Sequence, residues 1–240
     1  MSRPAGRRQP TPSTRTALNR DYIAAVALTV IDTAGLDGFT MRKLGAALGA
    51  DPMAAYRHFT DQQELFDGIA EAMFGELEME TLPWQADWPE LMSVYAHRLR
   101  STLRRHPNAV PIFATRPVRS AAAIETGNWM LERLQGVGFT PAVALQFARC
   151  LREYVVGHIL SHTVAAVAAQ RSRKPAPDAP NYNTLAAAAD AAADSDHFEI
   201  GLTAMLDGFG KHLGEKTSHA QEVPFDRVST TTGISQDTLA

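Results

Sequence analysis

Residues 40–59, TMRKLGAALGADPMAAYRHF, read as two short helices joined by a tight turn. The Thr40 hydroxyl can accept an orphan backbone N–H of an opening turn, and Met41, Leu44, Ala47 and Leu48 then share one apolar face. Gly49 can take the left-handed conformation that closes a helix. Asp51-Pro52 restarts the chain with a capping carboxylate and the residue best tolerated in a first helical turn. A break of about three residues matches the turn of a helix-turn-helix unit. The second helix, over residues 52–59, is expected to bury Ala55 and Phe59 against the first. Its other face carries Pro52, Met53, Tyr56, Arg57 and His58, a mixture suited to base edges and phosphates. Spacing alone leaves an ordinary helical hairpin with a solvated face equally open.

The flanking residues decide between the two. Residues 21–79 contain Ala34-Gly35, then Gly38-Phe39-Thr40-Met41-Arg42-Lys43-Leu44-Gly45, Leu48-Gly49, Tyr56-Arg57-His58-Phe59 and Thr60-Asp61-Gln62-Gln63-Glu64-Leu65. In this pattern the chain resembles the N-terminal domain of the TetR family of bacterial transcriptional regulators. His106-Pro107 and Thr115-Arg116-Pro117 are similar to the C-terminal domain of its tetracycline-repressor branch, more weakly after residue 120. The resemblance implies an all-α protein: an N-terminal three-helix helix-turn-helix DNA-binding domain, then a larger helical ligand-binding and dimerisation domain. It further implies a ligand-responsive regulator, a repressor that binds an inverted-repeat operator on double-stranded DNA as a homodimer and is released by a small-molecule effector. The residue types then suggest roles. Arg42 and Arg57 suit guanine or phosphate, Thr40, Lys43, Tyr56 and His58 suit phosphates, and Pro52 and Met53 suit thymine methyls. Gln62 stands where the family often has a basic phosphate contact.

Composition and charge agree with this division. A chain of 240 residues, 45% hydrophobic, can bury a sizeable core. No apolar run approaches the roughly 18–20 residues of a membrane span, and the Arg- and Pro-rich opening lacks the apolar segment of a signal peptide. No membrane partner and a cytoplasmic location are expected. The single Cys150 permits neither an internal disulfide nor a zinc cluster. Residues 1–62 carry eight basic against five acidic side chains, so a head of net charge +3 is joined to a remainder of −6. The footprint for a polyanion lies at the front of the chain.

In order, residues 1–16 read as a disordered basic tail, 17–62 as the helix-turn-helix domain, 63–81 as a connecting helix, 82–213 as the effector-binding and dimerisation domain, and 214–240 as a flexible tail. The first helix is expected over residues 20–34, with Phe39 plugging the three-helix core. Asp61 and Glu64 form a capping box for a connecting helix whose apolar face, Leu65, Ile69, Ala72, Met73 and Leu77, runs to about Met79. Pro83 and Pro89 break the chain before a helix over 91–105 that bears Arg98, Arg100, Arg104 and Arg105. A short broken helix at 107–117, helices at 121–135 and 141–169, a proline-rich loop at 170–180, an Ala-rich helix at 185–193 and a last helix at 198–213 follow. The resemblance implies that the long and last helices pair with their copies across a two-fold axis. Gly157, Ser161, Ala165, Gly201 and Ala204 would allow the close approach.

Signs of catalysis are few: there is no nucleophile elbow, phosphate loop or zinc-protease motif, and Gly136-Val-Gly138 lacks the third glycine of a dinucleotide site. No enzyme activity and no cofactor are expected. His158 and His162 stand four apart on one helix, yet no acid or cysteine completes a metal motif, so no metal is assigned. The body is expected to hold an effector pocket with walls from Met73, Leu77, Phe113, Trp129, Phe147, Tyr154 and His158, and with Arg116 as an anion or carbonyl partner. Where the tetracycline repressor has a metal-ligating histidine three residues before Thr-Arg-Pro this chain has Ile112, and Glu78 replaces a second pocket histidine. A magnesium–tetracycline chelate is therefore a poor fit. The reading from another class is a helical small-molecule-binding protein or enzyme whose N-terminal helices mediate protein interaction.

Overall fold

The computed structural model describes residues 18–163, apart from Pro117, and 196–214, together with positions 187, 188 and 191. The expected tails, the loop at 170–180, most of the Ala-rich helix and the end of the long helix lie outside the described residues. Within them there is no strand. Helix α1 is Arg20–Ala34, α2 is Met41–Leu48, α3 is Gln62–Gly75, α4 is Trp88–Arg105, α5 is Val110–Thr115, α6 is Ala121–Gly136, α7 is Pro141–Thr163 and α8 is His197–Gly214. The head consists of α1, α2 and a 3-10 helix at Pro52–Arg57, with α1 lying along α3. In the body, α4 and α7 pack against each other while α6 and α8 flank α7.

The head forms for the local reasons that its sequence states. The Asn19 side chain accepts the Tyr22 N–H at 2.8 Å, Thr40 accepts that of Lys43 at 3.2 Å, and Asp61 accepts that of Glu64 at 2.8 Å. Gly49 ends α2 in the left-handed region at φ 60°. Ile23, Ala27, Ile31, Leu44, Ala55 and Phe59 close the core, and Phe39 is buried beside Phe66 with ring centroids 5.9 Å apart.

The structure departs from the expected face of α2. Ala47 is exposed and Gly45 is buried, because α2 is rotated to present Gly45 to the next helix. A Cβ on Gly45 would lie 2.9 Å from the Cα and N of Pro52, so only a bare α-carbon permits this crossing. The helix that follows is a 3-10 helix ending at Arg57, where an α-helix to residue 59 was expected. Asp51 O accepts the Ala54 N–H at 2.8 Å, and the burial of Phe59 turns the chain inward.

Two further boundaries move. Helix α3 stops at Gly75, short of the expected Met79, because Glu78 adopts φ 46° and residues Met79–Thr81 form a separate 3-10 turn. Leu77 and Met79 remain buried beyond the helix end. Helix α4 begins at Trp88, since Asp87 caps it and Pro89 sits in its opening turn, where proline is tolerated. The link before α4 is held by Arg133, whose Nε and NH2 donate to Trp84 O at 3.0 Å and Ala86 O at 2.7 Å. On the side of Gly201 where a Cβ would stand lies the Tyr154 hydroxyl of the same chain, which donates to Phe198 O at 2.9 Å.

The crossing at Gly45 yields a test. Gly45→Ala should force α2 and the 3-10 helix apart and cost about 1–3 kcal/mol, as overpacking of a tight contact does. Urea denaturation of the purified variant measures this, and an unchanged midpoint would show that the two backbones have room to spare.

Candidate functional site

The eight residues assigned to DNA gather on the first turn of α2, its cap and the 3-10 helix with its end. Met53 is 65% and Tyr56 36% exposed, and Arg42, Lys43 and Arg57 are exposed beside them. Arg42 and Arg57 carry no ion pair or hydrogen bond among the described residues. Lys43 is tied: its Nζ donates to Gly38 O at 2.6 Å. The Thr40 hydroxyl is engaged in the cap, and Pro52 and His58 are half-buried. The result is an edge with two uncommitted guanidiniums and an apolar pair, the combination that reads guanine edges, phosphates and thymine methyls.

The edge is held in place by a residue that sequence reasoning counted only as a charge. Arg20 donates through NH1 to His58 O and to Glu64 Oε1 at 2.7 Å, and its guanidinium lies 4.4 Å over the Phe59 ring. Glu64 completes the junction: its Oε2 accepts the Thr60 N–H at 2.5 Å and the Thr60 hydroxyl at 2.8 Å. These bonds from Thr60, then Arg20, hold the Glu64 carboxyl down to about 2. The only sequence signal for this junction was the Asp61–Glu64 capping spacing.

Arg116 is placed elsewhere than expected. It donates to Gln63 O at 2.9 Å, to Asp67 Oδ1 at 2.5 Å and to Gln63 Oε1, and lies over Phe66, so it ties the body to α3. Arg20, Glu64, Asp67, Arg116 and Arg119 line a polar cavity of about 520 Å³ there. The end of α3 is gripped too. Arg98 NH1 faces Leu77 O at 3.0 Å, Glu78 O at 2.6 Å and Thr81 Oγ1 at 2.7 Å. His106 sits between Asp32 of α1 (Nδ1 to Oδ2, 2.7 Å) and Glu76 (Nε2 to Oε2, 2.9 Å).

The remaining effector candidates do not share one described cavity. Met73, Leu77, Phe113 and Phe147 are buried in the core, with Phe147 among Trp88, Phe139 and Phe209. Tyr154 and His158 both pack on Phe198, and Trp129 stands 42% exposed, edge-on to Trp84. An apolar cleft of about 170 Å³ among the described residues, between the end of α3 and helices α4, α6 and α7, is lined by other residues, among them Phe74, Met79, Tyr95, Thr126 and Leu145. The side chain of His162 lies outside the described residues. Ile112 is buried among apolar groups, and among the described residues no three His, Cys, Asp or Glu side chains converge to hold a metal ion. A magnesium site of the tetracycline-repressor kind does not fit these residues. Nor is any helix among the described residues long and apolar enough to cross a membrane.

Comparison with known proteins adds two family matches. Residues 23–69 match the family described as bacterial regulatory proteins, tetR family, and residues 82–213 match the tetracyclin repressor-like C-terminal domain. The tetracycline repressor protein class A from transposon 1721 of Escherichia coli is 31% identical over 201 residues, covering 82% of this chain and 92% of that one. The crystal structure of TetR from Acinetobacter baumannii AYE superposes with a TM-score of 0.66 at 28% identity, over 82% of this chain and 99% of that one. That of TetR class A with 5a,6-anhydrotetracycline and magnesium has a TM-score of 0.61 at 27% identity, over 81% and 99%.

The Glu64 junction makes a pH-dependent expectation. A carboxyl lowered in the folded state stabilises above its unfolded value, near 4.5, and that contribution is lost as pH falls toward about 2. Glu64→Gln should therefore be less stable than the parent at pH 7, with the gap shrinking steadily as the pH falls from 4.5 toward 2. Parallel denaturation curves would measure it; a gap independent of pH would exclude this role for Glu64.

Proposed function

The chain belongs to the tetR family of bacterial regulatory proteins, and from that premise we propose how it performs ligand-responsive transcriptional repression. The reading is carried by one observation: Arg42 and Arg57, without partners among the described residues, stand beside exposed Met53 and Tyr56 on the outer edge of a helix-turn-helix. Arg42 and Arg57 contact guanines or phosphates, Thr40, Lys43, Tyr56 and His58 contact phosphates, and Pro52 and Met53 meet thymine methyls. One such reader covers few base pairs. Two copies in a homodimer, about 34 Å apart, read an inverted repeat, and the surfaces of α7 and α8 supply the pairing faces.

Repression is relieved by a shift of population. The unliganded dimer holds its two readers at the operator's spacing, and an effector that prefers the other arrangement draws the equilibrium away from DNA. The grip of Arg116 and His106 on α3 and α1, and of Arg98 on the turn after α3, supports this, since those contacts join the body to the helices that carry the reader. Tetracycline-type ligands belong to the relatives whose structures hold them. Here Ile112 and Glu78 argue for an effector that needs no bound magnesium. The alternative, an enzyme or binding protein whose head is a protein-interaction module, loses its ground because the two family matches together span head and body.

Arg57→Ala should lower the preference for operator over random duplex by about 1–3 kcal/mol while the fold survives, whereas Tyr56→Ala should weaken every duplex alike. Gel shifts on the gene's own upstream DNA and on a scrambled duplex, at fixed salt, separate the two. Retention of full preference by Arg57→Ala would remove Arg57 from the reader.

A further inference from the structure

The apolar cleft at the end of α3 has a chemistry of its own. No charged side chain lines it. Met79, Met92 and Met130 contribute unbranched, polarisable walls that adapt to a guest, while Ala123, Gly127 and Ala148 keep it open. Two hydroxyl-bearing residues line it besides. Thr126 donates its proton to Ala122 O at 2.8 Å. The Tyr95 hydroxyl has no hydrogen bond among the described residues, and burial pushes its phenol above the ordinary tyrosine range against the opposing charge of Arg152, so it stays a donor throughout the physiological range. A phenol without a partner among the described residues can donate to an acceptor on a guest.

Size and solvation narrow the guest. A closed apolar void of about 150 Å³ takes one benzene ring. This cleft, about 170 Å³, opens to solvent at Gly127 and Leu145, both exposed, so it encloses one ring with a substituent and lets a second ring rest in the mouth. A carboxylate or ammonium would lose its water there and gain no partner in the lining. We propose that this cleft binds a neutral, flat ligand of one or two rings bearing a carbonyl-type acceptor, recognised by hydrogen-bond donation from Tyr95. The cleft's use as the effector site rests on the regulator reading above; the binding itself does not. Phe74 and Met79 place the guest against the end of α3, next to the oxygens that Arg98 holds.

The test uses three matched probes on the full chain: 2-acetylnaphthalene, 2-ethylnaphthalene and 2-naphthoate. Their affinities are measured by fluorescence titration, with retention of a labelled operator duplex followed in the same samples. The ketone should bind about tenfold more tightly than the hydrocarbon and than the carboxylate, as one hydrogen bond in an apolar cleft allows. Tyr95→Phe should erase the ketone's advantage and leave the hydrocarbon's affinity unchanged. Gly127→Leu should weaken all three at least tenfold: a Cβ there meets nothing within 4 Å, and a helix-interior glycine is replaced by a better helix former, so the variant keeps its fold. A ketone advantage that survives Tyr95→Phe, tighter binding of the naphthoate, or indifference to Gly127→Leu would overturn the proposal. Ketone binding with the Tyr95 signature but no release of duplex would uphold the cleft and remove the effector reading alone.

Discussion

One guanidinium fixes the turn that follows α3. The last carbonyls of α3 are met by the chain's own backbone, Ala72 O by the Glu76 N–H, Phe74 O by that of Leu77 and Gly75 O by that of Glu78. Beyond them Arg98, from the middle of α4, turns NH1 toward the oxygens of Leu77, Glu78 and Thr81 and pins the chain where it leaves the helix. The left-handed Glu78 is tolerable because the same contact holds it. Head and body therefore meet through a fixed joint. His106 between Asp32 and Glu76, and Arg116 on Asp67 and Gln63, brace it from two other sides.

Much of the head was legible because its signals are local. Caps at Thr40, Asp51 and Asp61, glycine stops at Gly35 and Gly49, and the buried pair Ala55 and Phe59 each depend on residues within one or two turns. Gly45 was not legible, for its role is set by what lies across from it. Read along α2 it is a weak helix residue, and only the Pro52 backbone 2.9 Å from its missing Cβ shows why nothing larger stands there. The apolar face was accordingly placed one step round, on Ala47. Asp87-Trp88-Pro89 misled in the opposite sense: a proline looked like a break and serves as a beginning.

The body's site was least legible because convergence is not a property of spacing. Large aromatics near the expected pocket, such as Phe147, turn out to fill the space between helices, in a cluster with Trp88, Phe139 and Phe209. Tyr154 fills the notch at Gly201, a role for that small residue within the chain that spacing does not reveal. The cleft described above is lined by medium-sized residues that no pattern singles out, and Tyr95, whose hydroxyl has no hydrogen bond among the described residues, falls in a helix where it reads as one more core position. Arg116, by contrast, stood inside a recognised motif, and its partners on α3 lie about fifty positions away in the chain.

The tighter winding of the reading helix sets how wide a stretch it can inspect. Six residues rising about 2.0 Å each extend over roughly 12 Å, where the same six in an α-helix would reach about 9 Å. That length equals three to four base-pair steps of about 3.4 Å. With three residues per turn, Met53 and Tyr56 eclipse each other in one column, and Arg57 follows in the next, above Ala54. The proposed reader thus presents a column of Met53 and Tyr56 beside a second column that carries Arg57.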